Sequence, residues 1–158
     1  MERTRKFKWE QEIRTTERSR QRKKHYTQMI EEELDFLYNE LVKSMRSEQN
    51  YKMVRKLEDK MKAERIQIYT QDLMDVLNDA TTENIIEYNE TDVRGKLKKR
   101  ILLRSHKQYL VNNNTYANLC VVYELTSKKF ITAYFNGIYD THQTLREDIY
   151  DKNLIIIK

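Results

Sequence analysis

Seven residues in the later part of the chain have the types that phosphodiester chemistry uses: Arg100, Arg104, His106, Thr132, Tyr134, His142 and Arg146. RNA cleavage without a metal needs a base to activate the 2′-hydroxyl, cations to stabilise charge on the phosphate, and an acid for the departing oxygen. Histidine, arginine and tyrosine can fill those roles. Spacing decides which of them can act together. On a strand over 99–111, Arg100, Leu102, Arg104 and His106 share one face, with Ile101 and Leu103 on the other. In 129–136, Thr132, Tyr134 and Asn136 alternate with Ile131, Ala133 and Phe135. The catalytic set expected on this pattern is Arg100, Arg104, His106, Thr132, Tyr134 and His142. Each also has an ordinary reading: surface arginines pair with acidic helices, lone histidines are solvated, and Thr and Tyr are common in strands.

Other chemistries lack their residues. A phosphate loop or dinucleotide fold needs clustered glycines, and this chain has Gly95 and Gly137 only. Cys120 with His25, His106 and His142 makes no zinc motif. No calcium loop is present, and Glu31, Glu32 and Glu33 point different ways around a helix, where solvation is expected. No metal and no cofactor are therefore expected.

The net charge of +5 is unevenly spread. Residues 1–24 carry ten Lys/Arg against four Glu, and residues 94–107 carry seven against none, whereas the remaining positions are 13 basic and 21 acidic. Two concentrated positive segments attract polyanions more strongly than the total suggests. The nucleic-acid contacts expected are Arg14, Arg18 and Arg22, at helical spacing, with Lys98, Lys99 and Lys107. A single cysteine excludes an internal disulfide and suits a reducing compartment. With no apolar stretch near membrane length, a cytoplasmic location without membrane contact is expected.

The elements that must position these groups follow from composition and period. The first 94 residues contain neither Pro nor Gly, and Ile30, Leu34, Leu37 and Leu41 form one stripe, so a helix is expected from about Glu10 to about Ser47. A second stripe of Met53 or Val54, Leu57 and Met61 follows SEQN, which predicts an antiparallel helical hairpin. Thr70 is placed to cap a further helix bearing Leu73, Val76 and Leu77. After Ala80, the segments 85–88, 99–111, 117–125 and 129–136 read as four strands of an antiparallel meander, and NLIIIK as a last strand. The fold class expected is α+β: a long N-terminal helical hairpin (1–64), then a small antiparallel sheet of about four strands packed on a helix (65–158).

The order of the QDLMDVLND helix and the IIEYN, KRILLRSH, ANLCVVYEL and KFITAYFN strands, with the R-x-L-x-R and TAY patterns, resembles the RelE-like and barnase/EndoU/colicin/RelE group of ribonucleases over about residues 65–150. The resemblance implies a site on the concave sheet face at Arg100, Arg104, His106, Thr132 and Tyr134. The YTQDLMDVL helix lacks the histidine some members of that group carry there.

Three functions fit these residues. One is a metal-independent endoribonuclease of phage or toxin type, with the basic N-terminus steering RNA or the ribosome toward the sheet. Another is a non-enzymatic adaptor whose N-terminal helices bind a protein partner or self-associate. The third is plain nucleic-acid binding through the basic N-terminal helix.

Overall fold

β-branched and aromatic residues dominate 85–137, and this stretch supplies the sheet. A computed structural model describes residues 22–46, 52–63, 68–111, 115–140, 142, 145–146 and 148–157. In chain order the elements are β1 (Arg22–His25), α1 (Glu31–Arg46), β2 (Lys52–Met53), α2 (Arg55–Ala63), α3 (Thr70–Asp79), β3 (Ile85–Val93), β4 (Lys96–Val111), β5 (Thr115–Glu124) and β6 (Lys129–Gly137). The strands form one mixed sheet in the order β1-β3-β4-β5-β6-β2. Among the described residues only the short β2 runs parallel to its neighbour, β6; the other pairings are antiparallel.

The expected hairpin of long helices is not what forms. Among the described residues there are three short α-helices, and of the residues expected to continue α1 toward the N-terminus, Arg22–His25 are strand β1 instead, while 10–21 lie outside the described residues. RKKH carries no apolar stripe to hold a helix against a core, while β3 presents an edge that needs a partner, so pairing overrides helix propensity. Arg22, Lys23, Lys24 and His25 stand opposite Glu90, Asn89, Tyr88 and Glu87. The expected sheet of about four strands gains β1 on one edge and β2 on the other.

The three helices lie on one face of the sheet. Leu37 and Leu41 of α1, Leu57 of α2 and Leu73, Val76 and Leu77 of α3 pack with Tyr88, Ile101, Leu103, Leu119, Val121, Tyr123 and Phe130 in one core. Both expected segments, 1–64 and 65–158, contribute to that core. Ile30, the first residue of the expected stripe, is 59% exposed because it precedes the helix. Its N–H donates to Glu33 Oε1, 3.1 Å away, which caps the first turn.

Glu33 is also not solvated as expected. It is buried, and Lys24 Nζ donates to both its oxygens at 3.0 and 2.8 Å and to the Leu154 carbonyl at 3.2 Å. Lysine can be buried here because its stem covers apolar surface and its ammonium is satisfied. Thr70 is the first residue of α3 rather than its cap; Asp72 receives the N–H of Tyr69 at 2.9 Å.

Of the segment NLIIIK, the described residues form no strand: Leu154 and Ile156 are buried in the core, while Ile155 and Ile157 are exposed. The described residues after β6 cross the other face of the sheet. Their contacts move from β6 and β4 at Ile138 and His142 to β3 at Tyr150 and β1 at Asp151. This strap divides the open face into a covered half and an uncovered half. Among the described residues no helix is long and apolar enough to cross a membrane.

Candidate functional site

Alternation along β4, β5 and β6 sends Arg104, Cys120 and Tyr134 to one row of the open face, since Arg104 stands opposite Cys120 and Cys120 opposite Tyr134. Asn118 and Asn136 form the neighbouring row. Arg104 Nη2 donates to Asn118 Oδ1 at 2.7 Å and to the Gly137 and Ile138 carbonyls at 3.1 and 3.4 Å. Its Nη1 lies 3.3 Å from His142 Nδ1. A guanidinium cannot accept, so His142 Nδ1 is the acceptor and the ring is neutral.

Three constraints hold His142 in place. Its backbone is in the left-handed region, at φ 59°, which is uncommon for a residue with a Cβ. Its N–H donates to Asp140 Oδ1 at 3.2 Å, and the Asn136 Nδ2 amide donor reaches the Nδ1 acceptor at 3.3 Å. Burial holds its pKa below 6.5 and Arg104 adds to the effect, with Asp140 opposing.

His25, at the end of β1, fixes the strap from the other side. Its Nε2 lies 2.7 Å from the His142 carbonyl, while Nδ1 is 2.7 Å from Thr27 Oγ1 and 3.2 Å from the Thr27 N–H that donates to it. These partners define a neutral ring with the proton on Nε2. Burial lowers its pKa as well; only 2% of the residue is exposed. The ring stacks at a tilt on Tyr26 and meets Tyr150 edge-on. Tyr150 Oη donates to Glu87 Oε1 at 2.7 Å.

Burial also raises the pKa of Tyr134 well above its ordinary value, with Cys120 and Glu87 contributing, so its hydroxyl stays protonated. The Cys120 thiol is pushed up to about 12, chiefly by burial, and shares a hydrogen bond with Tyr134.

The uncovered half of the face holds a concavity of about 190 Å³ bordered by Arg100, Thr132, Asn89 and Lys23, with Leu102 and Val122 among its lining. Arg100 Nε donates to Glu124 Oε2 at 3.3 Å, and Lys98 Nζ lies 3.7 Å from Glu124 Oε1.

The expected site residues therefore sort into three places. Arg104 and His142 meet, and Tyr134 stands in the same row beyond Cys120. Arg100 and Thr132 lie on the same face, beside the concavity. His106 joins neither. Ser105, His106 and Lys107 stand against Leu119 alone, between the Arg104–Cys120 and Gln108–Asn118 pairs. This bulge breaks the period of two and turns His106 to a crevice with Asp75, Asp79 and Asn84 on the α3 side. Ser105 Oγ, which donates to the Lys107 carbonyl at 2.6 Å and accepts the Leu119 N–H at 2.8 Å, holds the bulge.

Of the expected nucleic-acid contacts, Arg14 and Arg18 lie outside the described residues. Arg22 pairs with Asp151, Nη2 to Oδ2 at 2.6 Å. Lys98 shares the face of Arg100, Lys99 falls on the alternate pleat opposite Glu90, and Lys107 Nζ sits 4.9 Å from the Tyr109 ring centroid. Sequence reasoning missed His25, which a helix assignment hid, and Asn118. Asn136 was legible from its alternation with Thr132 and Tyr134.

Among the described residues no group of three His, Cys, Asp or Glu is placed to hold a metal ion. No family model, curated protein or solved structure matches this chain.

Proposed function

We propose that this protein binds RNA and cleaves it, with His142, Arg104 and Tyr134 as the catalytic residues. The observation that carries the reading is the Arg104–His142 contact on the half-buried sheet face opposite the helices, in the row that continues through Cys120 to Tyr134. Each has the protonation state the reaction needs at neutral pH: a neutral imidazole, a cationic guanidinium and an intact phenol.

A phosphate that takes over the Arg104 fork releases the Nδ1 lone pair of His142. That nitrogen then accepts the 2′-hydroxyl proton, the 2′-oxygen bonds to phosphorus, and the bond to the 5′-oxygen breaks. Solvent protonates the departing oxygen, and the imidazolium returns its proton to water. Arg104 and the Tyr134 hydroxyl hydrogen-bond the phosphate oxygens as charge builds on them. His25 is a positioning residue, since it holds the His142 main chain. The basic runs at 1–24 and 94–107 bring the polyanion in. Of the set implied by the RelE-like resemblance, this mechanism uses Arg104 and Tyr134, takes His142 in place of His106, and gives Arg100 and Thr132 no catalytic part.

The test is incubation of the purified protein with RNA in EDTA. New ends bearing 2′,3′-cyclic phosphate, absent with His142→Ala, are expected. Intact RNA at stoichiometric protein would overturn cleavage. Binding that does not weaken between low and high salt would remove the nucleic-acid reading altogether.

A further inference from the structure

The concavity on the uncovered half of the face lies one step along the strands from the cleavage cluster. Leu102 and Val122 are two residues from Arg104 and Cys120 respectively, about 7 Å at the rise of a strand. A distance of this order separates successive units of an extended nucleic-acid strand, so a chain with a phosphate at Arg104 has a neighbouring base at the concavity.

The lining suits a base better than a second phosphate. Leu102 and Val122 provide an apolar floor for a ring face, and the volume of about 190 Å³ admits one ring system. Asn89 offers an amide at the wall; its Oδ1 accepts from Thr91 Oγ1 at 3.0 Å, which leaves the amide N–H groups to meet a base edge. Thr132 adds a hydroxyl. Arg100 and Lys23 bring positive charge to the rim, but Glu124 and Glu87 stand 3.3 and 3.8 Å from them and offset it locally. An isolated anion gains little in such a place, whereas a neutral ring tethered to flanking phosphates fits both features.

We infer that this concavity is a subsite for one unstacked nucleobase next to the cleaved phosphate, which makes the protein selective for single-stranded over duplex RNA. The inference rests on the RNA-cleaving reading, since it takes the phosphate position from Arg104. A paired base is held in its stack and cannot enter, so discrimination follows from access as well as contact.

The experiment measures binding of a short 2′-O-methyl RNA, which lacks the attacking hydroxyl, as a single strand and as a duplex, with heparin as a polyanion without bases. The wild-type protein is expected to bind the single strand about tenfold or more tightly than the duplex, a difference of about 1.4 kcal/mol. Val122→Phe, which fills the concavity, and Asn89→Ala, which removes the wall amide, should each erase most of that preference and leave heparin binding unchanged. Thermal melting checks that each variant is folded, and Asn89→Ala carries the test if Val122→Phe is not. Equal affinity for single strand and duplex, or a preference intact in Asn89→Ala, overturns the subsite. If cleavage persists in either case, the subsite alone fails; if neither RNA nor heparin binds and RNA stays intact, the proposed function fails with it.

Discussion

His25 Nε2 lies 2.7 Å from the main-chain carbonyl of His142, across 117 residues of sequence. The first strand of the sheet thereby holds the strap that follows the last long one. Further along, the strap is anchored by Tyr150 on Glu87 and by Asp151 on Arg22 and the Lys23 carbonyl.

His25→Ala removes a buried donor and leaves the His142 carbonyl without its partner, in addition to emptying the space between Tyr26 and Tyr150. We expect a loss of about 2 kcal/mol of stability, seen as a fall of several degrees in Tm. Unchanged Tm would mean that the strap is held without His25.

Acid should act on the same contacts. Burial holds both His25 and His142 below their ordinary pKa of 6.5, so below pH 6.5 the unfolded chain binds protons that the folded chain refuses. Stability is fully present above 6.5 and falls as the pH drops through it toward the lower folded values. Denaturant midpoints measured at pH 7.5 and 5.5 should show the loss, and His25→Ala should reduce the difference.

How far the sequence could reveal this arrangement depends on whether the signal is local. Strands β3 to β6 were legible because Ile, Val, Tyr and Thr alternate with polar residues from 85 to 137, and placing Arg104 with Tyr134 needed only period two. β1 was not legible: the burial of Lys24 depends on Glu33 and on Leu154, 130 residues away. His106 was misplaced because period two fails at the bulge. The amide that supports the bulge belongs to Asn118, whose Nδ2 donates to the Ser105 carbonyl at 2.9 Å from the next strand.

Arg100 has a structural partner whose burial makes it costly to remove. Glu124 is only 2% exposed, with Arg100 on one carboxylate oxygen and Lys98 at 3.7 Å from the other. Arg100→Ala leaves that carboxylate with the more distant cation, and a loss of about 2 to 4 kcal/mol is expected. Glu124→Gln in the Arg100→Ala background should recover part of it in a double-mutant cycle. Additive losses would show that the two side chains are not coupled.

Cys120 should be inert in the folded protein. It is fully buried, and its thiol is pushed up to about 12, so the reactive thiolate is scarce at neutral pH. Labelling with a disulfide-exchange reagent at pH 8 should need denaturant. Rapid labelling of native protein would show that the strap opens over the Cys120 and Tyr134 row.

The catalytic assignment separates two histidines on opposite sides of the sheet. His142→Ala should lower RNA cleavage by about 100-fold or more, the range a general base supplies, while His106→Ala should leave the rate within about twofold because the bulge turns it to the α3 side. Arg104→Ala is ambiguous by itself, since the guanidinium also ties Asn118 and Gly137 to the strap. Arg104→Lys keeps the charge but loses the fork, and it should retain binding at low salt while cleavage falls. The pH profile gives a further readout, because a base whose pKa is held below 6.5 keeps its activity into mildly acidic solution. A rate limb well below pH 6.5 that disappears with His142→Ala supports the assignment. A limb that instead follows His106→Ala would move the reaction to the other face and end this mechanism.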